Sequence, residues 1–228
     1  MIAVSYLKSK FKKAETIRLI DESNADLIHV DLMDGLYVQD KNFTIDEVIN
    51  DLKNTQKPLD IHLMVKNPEI YIRELALLKP FAITFHLNST ENPKDVIELI
   101  KDYNIKVGIA INPSDDISIL NEYLNLIDYV IIMSVVPGKG GQAFIKEVLN
   151  KIEYLKDKNV LIGIDGGINE ESINYLTDYK IDIIISGSFV CMSDNFNKQI
   201  DVLKTYSKWM CFFIRRVSMY WLLFIFFL

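Results

Sequence analysis

The sequence predicts an α/β chain closed as a (β/α)8 barrel, on three observations. Eight short apolar runs recur along residues 1–205, amphipathic helical patterns separate them, and no Gly-rich dinucleotide loop follows an early run. The first two are the signature of βα units and a parallel sheet, and the third argues against an open doubly wound sheet. In order, the predicted strands are Ile2–Ser5, Leu27–Asp31, Leu59–His62, Ala82–His86, Lys106–Ala110, Tyr129–Met133, Val160–Asp165 and Asp182–Ser186. Between them, Thr44-Ile-Asp-Glu, Asn67-Pro-Glu and Asn169-Glu-Glu are helix start signals that place acidic groups in a first turn. Half of the 228 residues are hydrophobic, enough for one core of barrel size, so a single domain over 1–205 is expected.

Composition narrows the partners. A formal charge of −6 and a pI near 5.2 give a surface that repels phosphate backbones, and nucleic acid is not expected as a partner. An anionic substrate would then need local donors: backbone amides, a helix N-terminus or a metal ion. The two cysteines, Cys191 and Cys211, form neither a disulfide framework nor a CxxC motif. A reducing compartment follows, and with no signal-peptide pattern at the start, cytoplasmic residence is expected.

Residues 206–228 depart from this pattern. Their apolar run from Val217 to Leu228 would span about 18 Å as a helix, short of the roughly 30 Å hydrocarbon core. Starting at Trp209 reaches spanning length but buries Arg215 and Arg216 mid-membrane, at about 2.5–3.5 kcal/mol each. The alternatives are a tail lying on a membrane surface and a stretch not native to the domain. Membrane contact, which this tail alone could make, is not expected.

In such a barrel the chemistry sits at the C-terminal ends of the strands. All three histidines, His29, His62 and His86, fall at or near predicted ends. Side chains two apart on a strand share a face, so His29, Asp31 and Met33 point together, as do His62 and Met64. Strand seven ends in Asp165-Gly166-Gly167. Closure would bring His29, Asp31, His62 and Asp165 to one centre, a ligand set for one divalent ion such as Zn²⁺, Fe²⁺ or Mn²⁺. Any one of these alone reads as a core histidine or a turn former, and the methionines as core filler. Four together at three strand ends favour the metal, because unpaired burial would cost several kcal/mol apiece, on the order of the usual desolvation penalty. His86 has no comparable partner and is either an outer-layer group of the site or structural.

Glycines gather after strands six, seven and eight, in Gly138-Lys139-Gly140-Gly141, Gly166-Gly167 and Gly187-Ser188. Glycine lets backbone amides approach an anion, and loops seven and eight are the usual phosphate site of these barrels. Lys139 either reaches that phosphate or is a solvated loop charge.

These motifs, in order, resemble the ribulose-phosphate 3-epimerase family: His29-Val-Asp-Leu-Met-Asp-Gly35, Asp60-Ile-His-Leu-Met-Val65, Met133-Ser-Val-Val-Pro-Gly-Lys-Gly-Gly-Gln142 with Phe144, Ile164-Asp-Gly-Gly-Ile168 and Ser186-Gly-Ser188. The resemblance covers roughly residues 1–205. It implies a TIM barrel of the ribulose-phosphate-binding type that interconverts D-ribulose 5-phosphate and D-xylulose 5-phosphate in the pentose phosphate pathway, with a bound divalent metal. Carried over by motif, His29, Asp31, His62 and Asp165 would hold the metal, and Asp31 and Asp165 would be the acid/base pair. Ser5, His62, Gly138, Lys139, Gly140, Gly141, Asp165, Gly166, Gly167, Gly187 and Ser188 would bind substrate, and Met33, Met64 and Met133 would line the pocket. The expected partners are a phosphorylated ketose and further copies of the chain in a homo-oligomer.

Four departures bear on substrate choice. After Ser5 the family usually runs Ile-Leu-Ser-Ala-Asp-Phe, where this chain has Tyr6-Leu-Lys-Ser-Lys-Phe11. Val136 and Asn88 stand where the family usually has acidic residues, and Lys139 replaces a customary aromatic. Rival readings are 3-epimerisation of a hexulose 6-phosphate such as D-allulose 6-phosphate, and a membrane-attached barrel without catalysis. A lyase or decarboxylase of the orotidine-phosphate type would need an Asp-x-Lys-x-x-Asp run, and Asp31-Leu-Met33-Asp34 lacks the lysine.

Overall fold

The computed structural model describes residues 1–205. Eight parallel strands close in sequence order, β1 pairing with both β2 and β8. They are β1 Ile2–Ser5, β2 Leu27–Met33, β3 Leu59–Met64, β4 Ala82–His86, β5 Lys106–Ile111, β6 Tyr129–Met133, β7 Leu161–Asp165 and β8 Ile183–Ser186. All eight predicted strands are present. β2 and β3 run two residues further than their patterns suggested, because Met33 and Met64 pair in register at their ends. The proposed division at residue 206 and the readings of the tail lie outside the described residues. Among those described, no helix is long and apolar enough to cross a membrane.

The helices are α1 Lys13–Asp21, α2 Ile45–Leu52, α3 Glu69–Leu75, α4 Pro93–Asp102, α5 Leu149–Leu155 and a single turn, α6 Ser188–Cys191. Residues 196–205 are also helical. The predicted start at Thr44 forms a full capping box: its hydroxyl accepts from the Glu47 N–H at 3.3 Å, and the Glu47 carboxylate accepts from the Thr44 N–H at 2.9 Å. Pro93 opens α4, where its missing N–H costs nothing. The Asn169 start leads only to a 3₁₀ segment, Ser172–Leu176, although the Asn169 side chain accepts from the N–H groups of Glu171 and Ser172. From Asn169 to Tyr179 the chain also carries Asn174, Tyr175 and Thr177, residue types whose low helix propensities do not extend a turn. The connection after β5 is likewise 3₁₀, over Ile117–Leu120.

Strand alternation sorts the apolar residues into two bodies. Outward-facing Ile2, Val4, Ile28, Val30, Ile61 and Leu63 pack under the helices, whereas Ala3, Leu27, Ala82, Ala110, Tyr129, Ile131, Ile183 and Ile185 fill the barrel. The residue preceding a strand ties three seams at the lower rim: Asp26, Asp128 and Asp182 accept from the N–H groups of Ile2, Val107 and Ile162 at 2.7–2.9 Å. Inside, the fully buried Tyr129 ring occupies the space beside Gly163, where an added Cβ would stand 2.4 Å from the phenol oxygen. Gly163→Ala should therefore destabilise the fold by about 1–3 kcal/mol, the usual cost of overpacking a filled core. Urea unfolding at an unchanged m-value would measure it, and wild-type stability would show that the ring can move aside.

Candidate active site

Above this apolar floor the inward positions turn polar. Register sets Ser5 beside His29, Asp31 beside His62, and Met133 beside Asp165. His29 and His62 are fully buried and Asp31 nearly so. His29 Nε2 lies 3.3 Å from Asp31 Oδ1 and 3.9 Å from Asp165 Oδ2; His62 Nδ1 lies 3.4 Å and 3.8 Å from the same two atoms. The four ligand atoms all lie within 4.8 Å of one another. The closed barrel thus brings together the four residues that the sequence singled out.

Both inward ring nitrogens, His29 Nε2 and His62 Nδ1, are buried without a hydrogen-bond partner, an arrangement costing about 1–3 kcal/mol each unless something else satisfies them. Their outward nitrogens are engaged. His29 Nδ1 meets Asp60 Oδ2 at 2.8 Å, a contact that orients the ring and aims Nε2 at the centre. His62 Nε2 meets His86 Nε2 at 2.9 Å. Burial and then His62 push His86 well below the ordinary imidazole range, and the contact leaves His62 Nδ1 as the ring nitrogen that faces the centre. Tetrahedral ligands about 2.1 Å from a zinc-sized ion stand about 3.4 Å apart. The observed spacings, the two unpartnered ring nitrogens and the two carboxylates fit such an ion.

The acids differ in their electrostatics. Burial works against a charge on Asp31, but His29 and His62 outweigh it and hold the carboxyl well below the usual carboxylate range. Ser5 Oγ also donates to it at 2.6 Å. Burial and then the charge on Asp31 push Asp165 up to about 6, against the pull of His29 and His62. Burial would lower His29, yet Asp31 and Asp60 raise it well above the ordinary imidazole range, so a cation ligated by Nε2 would displace a proton from it.

One cavity carries both the acids and the glycine loops. Asp31, Asp165, Met64 and Met133 line it with Ser5, 138–141, 166–167, Gly187 and Ser188. Met33 is buried in register with Met64 but is not among the lining residues, and His29 and His62 lie behind the carboxylates. At Gly167, φ is +64° and a Cβ would stand 2.7 Å from the Phe144 backbone nitrogen, so loops six and seven meet there backbone to backbone. Sequence reasoning gave no role to Asp60 or Lys8. Asp60 had a legible signal, since it lies two before His62 and shares its inward face. Lys8 stood out only as part of the departure after Ser5, and its position over the glycine loop comes from the fold.

Ionisable side chains crowded at the open end of a filled parallel barrel define a class, the (β/α)8 enzymes that work from their strand ends. Within it, residues 1–191 match the model of the ribulose-phosphate 3 epimerase family. A ribulose-phosphate 3-epimerase of Buchnera aphidicola is 36% identical over 220 residues, covering 90% of this chain and 96% of the relative. One of Helicobacter pylori is 35% identical over 215 residues, covering 89% and 96%. The chain belongs to the ribulose-phosphate 3-epimerase family. Among solved structures, 3-hexulose-6-phosphate synthase of Salmonella typhimurium superposes with a TM-score of 0.70 at 14% identity, covering 92% of this chain and 99% of that one. KGPDC of Streptococcus mutans superposes with a TM-score of 0.68 at 17%, covering 91% and 96%. These two likenesses concern the fold alone.

Proposed function

We propose that this chain interconverts D-ribulose 5-phosphate and D-xylulose 5-phosphate through Asp31 and Asp165, with a divalent cation held by His29, Asp31, His62 and Asp165. The observation that most supports this is the single cavity shared by two carboxyl groups and three glycine loops, with two unpartnered imidazole nitrogens converging behind them. The catalytic unit is residues 1–205.

Epimerisation at C3 removes a proton next to the C2 carbonyl and returns one to the opposite face. Two carboxyl groups suffice if one is ionised while the other is protonated. Asp31, held well below the usual carboxylate range, and Asp165, pushed up to about 6, are set apart in the direction that this division of roles requires. An ionised group with so low a pKa is a weak base. When bound, the cation supplies the positive charge that acidifies the C3 proton and offsets the charge gathering on the substrate oxygens. Ser5 fixes the Asp31 carboxylate by its 2.6 Å hydrogen bond. Met64 and Met133 wall the reacting carbons from water without offering a competing proton. The 138–141, 166–167 and 187–188 loops hold the phosphate by backbone amides, which fixes C3 between the acids.

Turnover in deuterated water tests the scheme. Solvent deuterium should enter C3 of the epimerised product, because each carboxyl exchanges its proton between turnovers. Ribulose 5-phosphate should be preferred over free ribulose and over hexulose 6-phosphates. Product formed with no deuterium at C3, or comparable turnover of free ribulose, would contradict it.

A further inference from the structure

The loop after β1 departs from the family's usual Ile-Leu-Ser-Ala-Asp-Phe run, and the structure shows where one departure leads. Lys8 stands where that run has serine and lines the cavity beside the loop of Gly140 and Gly141. Its stem lies along the 140–141 backbone: Cβs built on Gly140 and Gly141 would stand 3.3 Å from Lys8 Cβ and 2.7 Å from Lys8 Nζ. Gly140 has no left-handed backbone to explain its missing side chain. What that absence provides is a bed for the lysine. Nearby, Lys10 pairs with Asp194, and Lys13 with Asp51 and Glu47. Lys8 makes no ion pair and no hydrogen bond among the described residues.

An unpaired ammonium at the rim of a cavity walled by glycine amides suits one kind of ligand. Backbone amides are neutral donors, and a phosphate dianion brought into a chain of net charge −6 gains from a full positive charge beside it. We propose that Lys8 is a substrate-binding residue of this chain, its ammonium closing on the phosphate that the glycine loops cradle. This rests on the phosphate reading of that cavity. Phosphate recognition is then shared between backbone donors common to the motif set and one side-chain cation from the first βα loop.

The test uses the full-length metal-loaded protein and inorganic phosphate as probe, titrated by calorimetry into wild type, Lys8→Met, Lys8→Arg and Lys139→Met. Lys8 is exposed, so none of its variants disturbs the core. Lys8→Met should weaken phosphate binding roughly 10-fold or more and raise KM for ribulose 5-phosphate by a similar factor. Lys8→Arg should stay within about 3-fold of wild type, since a guanidinium also pairs with phosphate. Wild-type affinity in Lys8→Met, a larger loss in Lys139→Met than in Lys8→Met, or no phosphate binding by wild type would overturn the assignment. Lys8-dependent phosphate binding without epimerisation of ribulose 5-phosphate would instead sink the proposed reaction and leave Lys8 in place.

Discussion

Asp31→Asn and Asp165→Asn should each lower kcat/KM for epimerisation by about 10³-fold or more, since each removes a proton carrier worth about 10²–10⁴-fold and a cation ligand together. The two variants are distinguished by what they retain. β2 and β7 reach the centre from different sides of the barrel, with Asp31 in register with His62 and Asp165 with Met133. If the carboxyls face opposite sides of C3, a variant that keeps one of them can still exchange the C3 proton of one epimer with solvent. Asp31→Asn and Asp165→Asn should then exchange opposite epimers, read by NMR in deuterated water on samples of matched metal content. Exchange of the same epimer by both, or near-normal epimerisation by either, would show that the two-acid assignment is mistaken.

His62→Ala should lose the cation and, with it, nearly all activity. Its Nδ1 is one of the two imidazole nitrogens in the cluster, and without it two carboxylates and one imidazole remain around the centre. Partners one step removed from a metal ligand commonly govern 10–100-fold in affinity, so deleting a ligand should cost at least about 100-fold. Metal analysis of dialysed protein measures the loss directly. Asp60→Asn, which weakens the 2.8 Å contact to His29 Nδ1 without removing a ligand, should fall between wild type and His62→Ala. Full occupancy in His62→Ala, or wild-type activity after exhaustive chelation, would remove the metal from the scheme.

Much of the fold was legible before the structure. The eight strands announced themselves because buried parallel strands read as continuous apolar runs, and the Thr44 capping box is written in four consecutive residues. The seventh unit was less readable: Asn169 supplies a start signal, but how many turns follow depends on propensity and on docking against β7 and β8. The convergence of His29, Asp31, His62 and Asp165 was legible for a geometric reason. His29 and Asp31 are two apart on one strand, so their shared face is fixed by the pleat alone, and His62 and Asp165 fall at the same level once eight strands close.

By itself, then, the sequence determined the local periodicities: which runs are strands, which side chains share a face, and which loops are rich in glycine. Relations between strands were decided only by tertiary structure. The pairing of β2 with β3 sets Asp60 against His29 Nδ1, and the curvature of the barrel brings His86 to His62, which together fix which ring nitrogens face the centre. Closure of β8 onto β1 carries the loop after β1 beside the glycine loops, so that Lys8 lies along Gly140 and Gly141, more than 130 positions further along the chain. A strand's pleat is set within a few residues, whereas shear and closure depend on all eight strands at once, and no short window of sequence contains them.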